Sequence, residues 1–375
     1  MAAVAVACGC ATAGGESAQP LTLNSQPSTL KVGVFAGDGA SGIGAIEWYR
    51  IVKESPEMEL RLLDGAAVRA GALDGLDLIV MPGGDSHLEF KDLGPDGIRR
   101  MKEFVRAGGG YVGTCAGCYL LLDNSVHRLR ANMVPWDKTG SEHSLLYPTF
   151  RLNGKGAAAL GLKPGKFCMR YHGGPFMYPT TNAMADAKVE SWGTFEAEAC
   201  MTGRVDPQKR MYGATAIIGG IYGKGKVFGI AGHPEYFDST LYIVQAAFRY
   251  VTGREVSFPA RLRTPRAISV GLLAKGISGV ETAETALMLA GEKDLDLVPI
   301  DKDGIFQRRL DGIDVLVVTS DTAKKDKALA AAIRDFAARG GKVVGFGTGR
   351  DVLPEGGIAC ESRMGVVRAI RKLFR

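Results

Sequence analysis

The sequence predicts an α/β protein in which one three-layer plan with a mainly parallel sheet is used twice. Three observations carry that expectation. First, short apolar runs alternate with amphipathic helical stripes, the pattern of parallel strands joined by crossover helices. Second, 51 glycines fall between the periodic segments, where tight strand-to-helix turns need them. Third, the chain repeats itself. Leu73-Asp74-Gly75-Leu76-Asp77-Leu78-Ile79-Val80 recurs as Leu310-Asp311-Gly312-Ile313-Asp314-Val315-Leu316-Val317. Glu103-Phe104-Val105-Arg106-Ala107-Gly108-Gly109 recurs as Asp335-Phe336-Ala337-Ala338-Arg339-Gly340-Gly341, and Val32-Gly33-Val34 as Val270-Gly271-Leu272. The order is the same and the offsets nearly so, and both halves are therefore expected to be flavodoxin-like, the second smaller and degenerate.

The elements read as follows. Lys31 to Ala36 is a buried strand, and Leu76 to Met81 a second. Ile98, Met101, Phe104 and Val105 form a helical stripe that Gly108-Gly109-Gly110 terminates. Tyr111 to Gly113 is a short strand and Cys118 to Leu122 opens a helix. Thr215 to Ile218 and Lys226 to Ala231 are later strands. Ser239 is placed to cap a helix with Leu241, Ile243, Val244, Ala247, Phe248 and Val251 on its apolar face and Gly253 past its end. Residues 30–255 are therefore expected to form the first domain, 256–265 a Pro- and Arg-containing linker, and 266–375 the second domain.

At 375 residues the chain fits two domains. A formal charge of +6, without an arginine-rich run, gives no nucleic-acid signature. No stretch reaches the roughly 18 apolar residues of a transmembrane helix. Residues 1–29 admit two readings. Ala11-Thr12-Ala13 resembles a signal-peptidase site and Ala5-Val6-Ala7-Cys8 a poor lipobox, which would make the segment a leader for export to the periplasm or a lipid anchor. The absence of a basic residue before Lys31 fits a disordered cytoplasmic tail instead. Seven scattered cysteines make no disulfide framework, and Cys115-x-x-Cys118 has no second pair to complete a zinc site, so neither metal nor cofactor is expected.

The chemistry lies in three segments. Gly113-Thr114-Cys115-Ala116-Gly117 stands between a strand and a helix, the context of a nucleophile elbow. Its glycines admit a sharp turn, and the helix N-terminus favours a thiolate. Gly232-His233-Pro234-Glu235 follows another strand; His233 would accept the thiol proton and Glu235 would fix the imidazole tautomer. Met81-Pro82-Gly83-Gly84 follows a third strand, and amides of Gly83, Gly84 and Ala116 would face an oxyanion. All three turns belong to the carboxyl edge of a parallel sheet, where ligands bind.

In this order and spacing, M-P-G-G, G-T-C-A-G and H-P-E resemble class I glutamine amidotransferases. Pro82-Gly83-Gly84-Asp85, the run Arg106 to Gly117 with aromatic Tyr119, and Tyr171-His172-Gly173-Gly174-Pro175-Phe176 resemble more narrowly the amidotransferase-like domain at the N-terminus of biotin-protein ligases. The resemblance spans roughly Leu30 to Arg254. It implies Cys115, His233 and Glu235 as a triad, and a small-molecule or peptide carboxamide substrate that Tyr171, His172, Gly173 and Gly174 would contact. No biotin-ligase catalytic domain or ammonia-consuming synthase domain is visible in the sequence. A ligand-binding module that retains the pocket, or a cysteine peptidase, remain the alternatives. Cys118 is expected to pack against the sheet, with a redox partner for Cys115 as the rival. His87 and Glu89, just beyond Gly84, are expected in a surface loop, with shaping of the pocket mouth as the alternative. Gly347 occupies the position of Cys115 in the second copy, which therefore lacks a nucleophile.

Overall fold

A computed structural model describes residues 29–40, 42–123, 131–141, 148–182, 184–196, 211–236, 238–258, 268–273, 280–292, 294–300, 310, 312–319 and 327–374. The leader or tail at 1–28 and linker residues 259–265 lie outside the described residues, as do Cys8, Cys10 and Cys200.

The first sheet has 11 strands: β1 (Leu30–Phe35), β2 (Met58–Leu63), β3 (Leu78–Met81), β4 (Gly110–Thr114), β5 (Trp136–Gly140), β6 (Thr149–Leu152), β7 (Gly165–Cys168), β8 (Phe176–Pro179), β9 (Ala187–Phe195), β10 (Thr215–Tyr222) and β11 (Gly225–Ile230). The second has 5: β12 (Ile268–Leu273), β13 (Leu295–Ile300), β14 (Val315–Val318), β15 (Lys342–Phe346) and β16 (Ile358–Cys360). The helices are α1 (Gly42–Glu54), α2 (Gly65–Arg69), α3 (Ser86–Ala107), α4 (Ala116–Leu121), α5 (Gly154–Leu160), α6 (Leu241–Thr252), α7 (Val280–Gly291), α8 (Lys327–Ala338) and α9 (Arg363–Leu373).

In the first sheet β2-β1-β3-β4-β11 run parallel. Their residues are largely apolar and buried, as both-face-covered strands require. Beyond β11 the sheet turns antiparallel through β10, β9, β6 and β7, with β8 and β5 branching from β10. The sheet is thus α/β and mixed. The second sheet is parallel throughout, in the order β13-β12-β14-β15-β16.

Helices cover both faces of the parallel strands. Ile46, Trp48 and Val52 of α1 and Val244 and Phe248 of α6 share one apolar cluster with Val32, Val80, Val112 and Phe228. Val68 of α2, Met101 and Val105 of α3 and Leu120 of α4 pack on the other face with Ile79, Met81 and Val227. Trp48 stacks on Phe248, with centroids 5.8 Å apart and planes 3° from parallel. Helix α1 also packs against α7 and β13, so the first cluster continues into Val270, Val315 and Val344 of the second sheet.

Helix α3 contains a break at Gly94 (φ 62°, ψ 175°) ahead of Pro95. The expected stripe, Ile98 to Val105, falls in the half beyond it, and Gly108 ends the helix at φ 128°. Ser239 does not cap α6. It lies inside a 3-10 turn (Asp238–Thr240) that delivers Thr240 to the N-cap, and the Thr240 hydroxyl donates to the Pro234 carbonyl instead.

The internal repeat has a structural counterpart. The orders β2-β1-β3-β4 and β13-β12-β14-β15 match. Lys31 N donates to Asp77 Oδ2 at 2.7 Å, and Ser269 N donates to Asp314 Oδ2 at 2.7 Å. Phe104 lies over Gly109 as Phe336 lies over Gly341. A Cβ on Gly117 would come within 1.9 Å of the Met81 carbonyl oxygen, and one on Gly349 within 2.0 Å of that of Val318. Cys115 has φ 48° and Gly347 has φ 59°.

Candidate active site

The carboxyl ends of β3, β4 and β11 meet at one edge of the first sheet. Strand β4 ends at Thr114, and Cys115 turns the chain into α4 with φ 48° and ψ −104°, a conformation that costs a non-glycine residue energy. Several contacts hold it there. Cys115 N donates to the Ile230 carbonyl (3.0 Å) and Gly117 N to that of Pro82 (2.9 Å). Tyr111 Oη donates to the Gly117 carbonyl at 2.7 Å, and Trp48 Nε1 to Thr114 Oγ1 at 3.3 Å. Ala116, the first residue of α4, has an amide with no intrahelical acceptor.

His233 follows β11. Its amide donates to the Arg170 carbonyl at 2.8 Å, and its Nδ1 stands 2.8 Å from Oε1 of Glu235. Both side chains are buried, Glu235 completely. Burial alone would lower the His233 pKa, but the negative charges of Glu235 and Cys115 and hydrogen bonds to both outweigh it, moving the group up to about 9. At neutral pH that environment favours the imidazolium form of His233. Gly83 separates the two: a Cβ there would lie 2.4 Å from His233 Cε1 and 3.2 Å from Cys115 Cβ. The glycine is thus required by the closeness of the pair.

Cys115 opens onto a cleft of about 410 Å³ lined by Gly84, Asp85, Ser86, His87, Ala116 and Tyr119 on one side and by Lys138, Ser141, His172 and Gly173 on the other. Cys115 Sγ lies 3.3 Å from the His172 carbonyl oxygen, to which the thiol donates. Tyr119 Oη donates to the Gly173 carbonyl at 3.0 Å, which docks the 171–174 segment on α4. The Lys138 ammonium sits 5.0 Å from the Tyr119 ring centroid.

The structure therefore brings Cys115, His233, Glu235, Gly83, Gly84, Ala116, His172 and Gly173 together. It does not bring the other two expected contact residues to the cleft. Tyr171 is fully buried among Phe176 and Phe195, and its hydroxyl donates to the Gly174 carbonyl at 2.7 Å. Gly174 lies against the Ala231 carbonyl, 1.8 Å from where a Cβ would be. Cys118 faces away from Cys115: its thiol packs against Gly229 and 3.5 Å from Met177 Sδ. His87 is exposed at the cleft mouth, whereas Glu89 is not surface at all; it is fully buried in the first turn of α3. Lys138 and Arg170 were not anticipated. Arg170 stacks 4.3 Å from the Tyr236 ring centroid, and Tyr236 abuts His233. Neither stands in a motif; only the pairing of β5 with β8 and the bridge from Arg170 to His233 bring them in.

A buried cysteine, histidine and glutamate thus converge at the carboxyl edge of the parallel strands of an α/β protein. Residues 73–127 match the family model described as biotin-protein ligase, N terminal. The matched stretch holds β3, Pro82-Gly83-Gly84, α3, β4, the Cys115 turn and α4. No curated protein matches the chain. Among solved structures, a ThuA-like protein from Bacteroides uniformis aligns with a TM-score of 0.45 at 13% identity, covering 64% of this chain and 97% of that one. A β-galactosidase from Rahnella aligns at 0.40 and 15% identity, covering 64% and 32%. A ThuA-like protein from Parabacteroides merdae gives 0.41 and 13%, covering 64% and 95%. Among the described residues no helix is long and apolar enough to cross a membrane.

Proposed function

We propose that this chain is a thiol-dependent amidohydrolase or acyl transferase of the class I glutamine amidotransferase-like type, acting on a carboxamide through a thioester. The observation that carries the reading is the convergence of Cys115, His233 and Glu235 across Gly83, with the nucleophile facing an open cleft.

In this mechanism His233 takes the Cys115 proton while Glu235 holds the opposite ring nitrogen. The sulfur adds to the amide carbon, and the carbonyl oxygen becomes an oxyanion facing the amides of Ala116 and the Gly83-Gly84 turn. Collapse breaks the C–N bond. The imidazolium gives its proton to the departing nitrogen, leaving a thioester on Cys115. Water or an acceptor amine, deprotonated by His233, then releases the acyl group and restores the thiol. His172 and Gly173 flank the substrate at the cleft wall, and Tyr171 and Gly174 set the position of that segment from behind.

The reading extends to the organisation of the chain. Residues 30–255 form an amidotransferase-like domain and 266–375 a degenerate flavodoxin-like copy. The copy keeps the elbow geometry at Gly347 and offers no nucleophile, so it serves as scaffold or regulator.

The test is a panel of primary carboxamides, including glutamine, and short peptides, assayed for released ammonia or amine. Release that disappears in Cys115→Ala is expected. Cleavage of internal peptide bonds with no primary amide turned over would mark a peptidase. Tight ligand binding without any product would mark a binding module.

A further inference from the structure

His233 is held from two sides, and Glu235 supplies only one of them. The other begins at Arg170. This arginine is buried, and its guanidinium carbon lies 4.3 Å from the centroid of the Tyr236 ring. Tyr236 in turn meets the imidazole, with ring centroids 5.6 Å apart and planes at 69°. The two ends of this stack are also joined through the backbone. The His233 amide donates to the Arg170 carbonyl at 2.8 Å, and the two residues form an antiparallel bridge. Gly232 permits that approach, since a Cβ there would stand 2.7 Å from Met169 Sδ and 3.0 Å from the Arg170 carbonyl oxygen. Guanidinium, phenol ring and imidazole thus close a loop of contacts around the turn Pro234–Tyr236. The same segment carries His172, whose carbonyl accepts from the Cys115 thiol at 3.3 Å, so one short stretch touches both base and nucleophile.

A hydrogen bond stays favourable over a range of angles, so the contact at Nδ1 by itself sets the tilt of the imidazole loosely. Proton transfer to and from sulfur depends on that tilt, because the opposite nitrogen must face Cys115. An aromatic ring packed against the imidazole narrows the tilt, provided the aromatic ring is itself fixed. A guanidinium over its face supplies that fixing, and the attraction is stronger where water is excluded. Burying a guanidinium is costly, and here that cost falls on the residue that backs the His233 turn.

We propose that Arg170 is a positioning residue: it clamps the Tyr236 ring, and the clamped ring sets the tilt of His233 toward Cys115. The proposal rests on the reading of His233 as the base for Cys115. No bond or proton changes on Arg170 or Tyr236 during the reaction.

The experiment combines two readouts on the full chain: the rate of Cys115 alkylation by iodoacetamide at neutral pH, read by peptide mass, and the NMR shifts of the His233 ring protons. Arg170→Met and Tyr236→Leu are each expected to slow labelling about tenfold, short of the roughly hundredfold cost of an ångström of misplacement. The double variant should be no slower than the slower single one, because the two residues act in series. Tyr236→Phe, which keeps the ring, is expected to keep most of the rate that Tyr236→Leu loses. The His233 ring protons in Arg170→Met should move toward their positions in Tyr236→Leu, as the ring current of Tyr236 is displaced. Losses that multiply in the double variant would show two independent effects and overturn the proposal. So would an Arg170→Met protein with wild-type labelling and wild-type His233 shifts. If Arg170→Met does not fold, Arg170→Lys takes its place, since it keeps the charge and loses the planar stack; the same non-additivity is expected. The ring-proton shifts need neither thiol nor substrate. They therefore test the clamp even where His233→Ala leaves Cys115 labelling unchanged, the result that would refute the reading of His233 as base.

Discussion

Nδ1 of His233 and Oε1 of Glu235 stand 2.8 Å apart in a pocket where Glu235 has no exposed surface. Two residues of sequence separate them, and the 3-10 turn Pro234–Tyr236 folds the carboxylate back onto the ring. The short link fixes which imidazole nitrogen is left for Cys115.

Replacing Glu235 by Gln keeps the shape and removes the charge. The imidazolium then loses its largest favourable partner while keeping the burial that opposes it. The His233 titration, followed by NMR, is expected to fall from about 9 toward or below the ordinary imidazole value of 6.5. Cys115 alkylation at neutral pH should fall with it. An unchanged titration would show that Glu235 does not act on the ring.

Stability should carry the same signature. His233 has its pKa raised by folding, so its contribution is fully present below the unfolded value of 6.5 and is lost as pH rises through about 9. The urea midpoint is expected to decline over that window in the wild type and to decline less in His233→Gln. Parallel profiles for the two proteins would contradict the assignment.

Gly83→Ala tests the closeness of nucleophile and base. The added methyl meets His233 Cε1 at 2.4 Å, so the ring must move. A displacement of that kind costs about a hundredfold in a reaction that depends on alignment. Near-wild-type labelling of Cys115 in a folded Gly83→Ala protein would show that the pair tolerates separation.

Cys118 should form no disulfide with Cys115, because its thiol lies against Gly229 and Met177. Mild oxidant is expected to leave out the two-proton mass loss of a Cys115–Cys118 bridge. A bridge that forms readily would require α4 to rotate from its present packing.

The parallel half of the fold was legible because buried strands such as Leu78–Met81 are continuous apolar runs and their turns carry glycine. The repeat was legible for the same reason. Strands β5 to β9 were not, since short pieces such as Gly165–Cys168 are partly exposed and pair only through long-range antiparallel contacts. The Cys115, His233 and Glu235 positions were legible because elbow and H-P-E turn have local sequence form. Tyr171 was misassigned to the cleft because sequence alone cannot say which way an aromatic beside Gly-Gly points; the ring packs on Phe176 and Phe195. Glu89 reads as loop from its place after the Gly83-Gly84 turn, whereas it lies buried in the first turn of α3 with Gly39 packed on its amide and Cγ.

The central claim is that Cys115 is an activated nucleophile for carboxamide chemistry. Its most direct test is incubation of the folded chain with an electrophilic glutamine analogue, followed by intact mass and mapping of the labelled residue. The account predicts one adduct, on Cys115, formed much more slowly in His233→Ala and absent in Cys115→Ser. No adduct on the folded protein, or labelling that favours exposed Cys168 over Cys115, would contradict it.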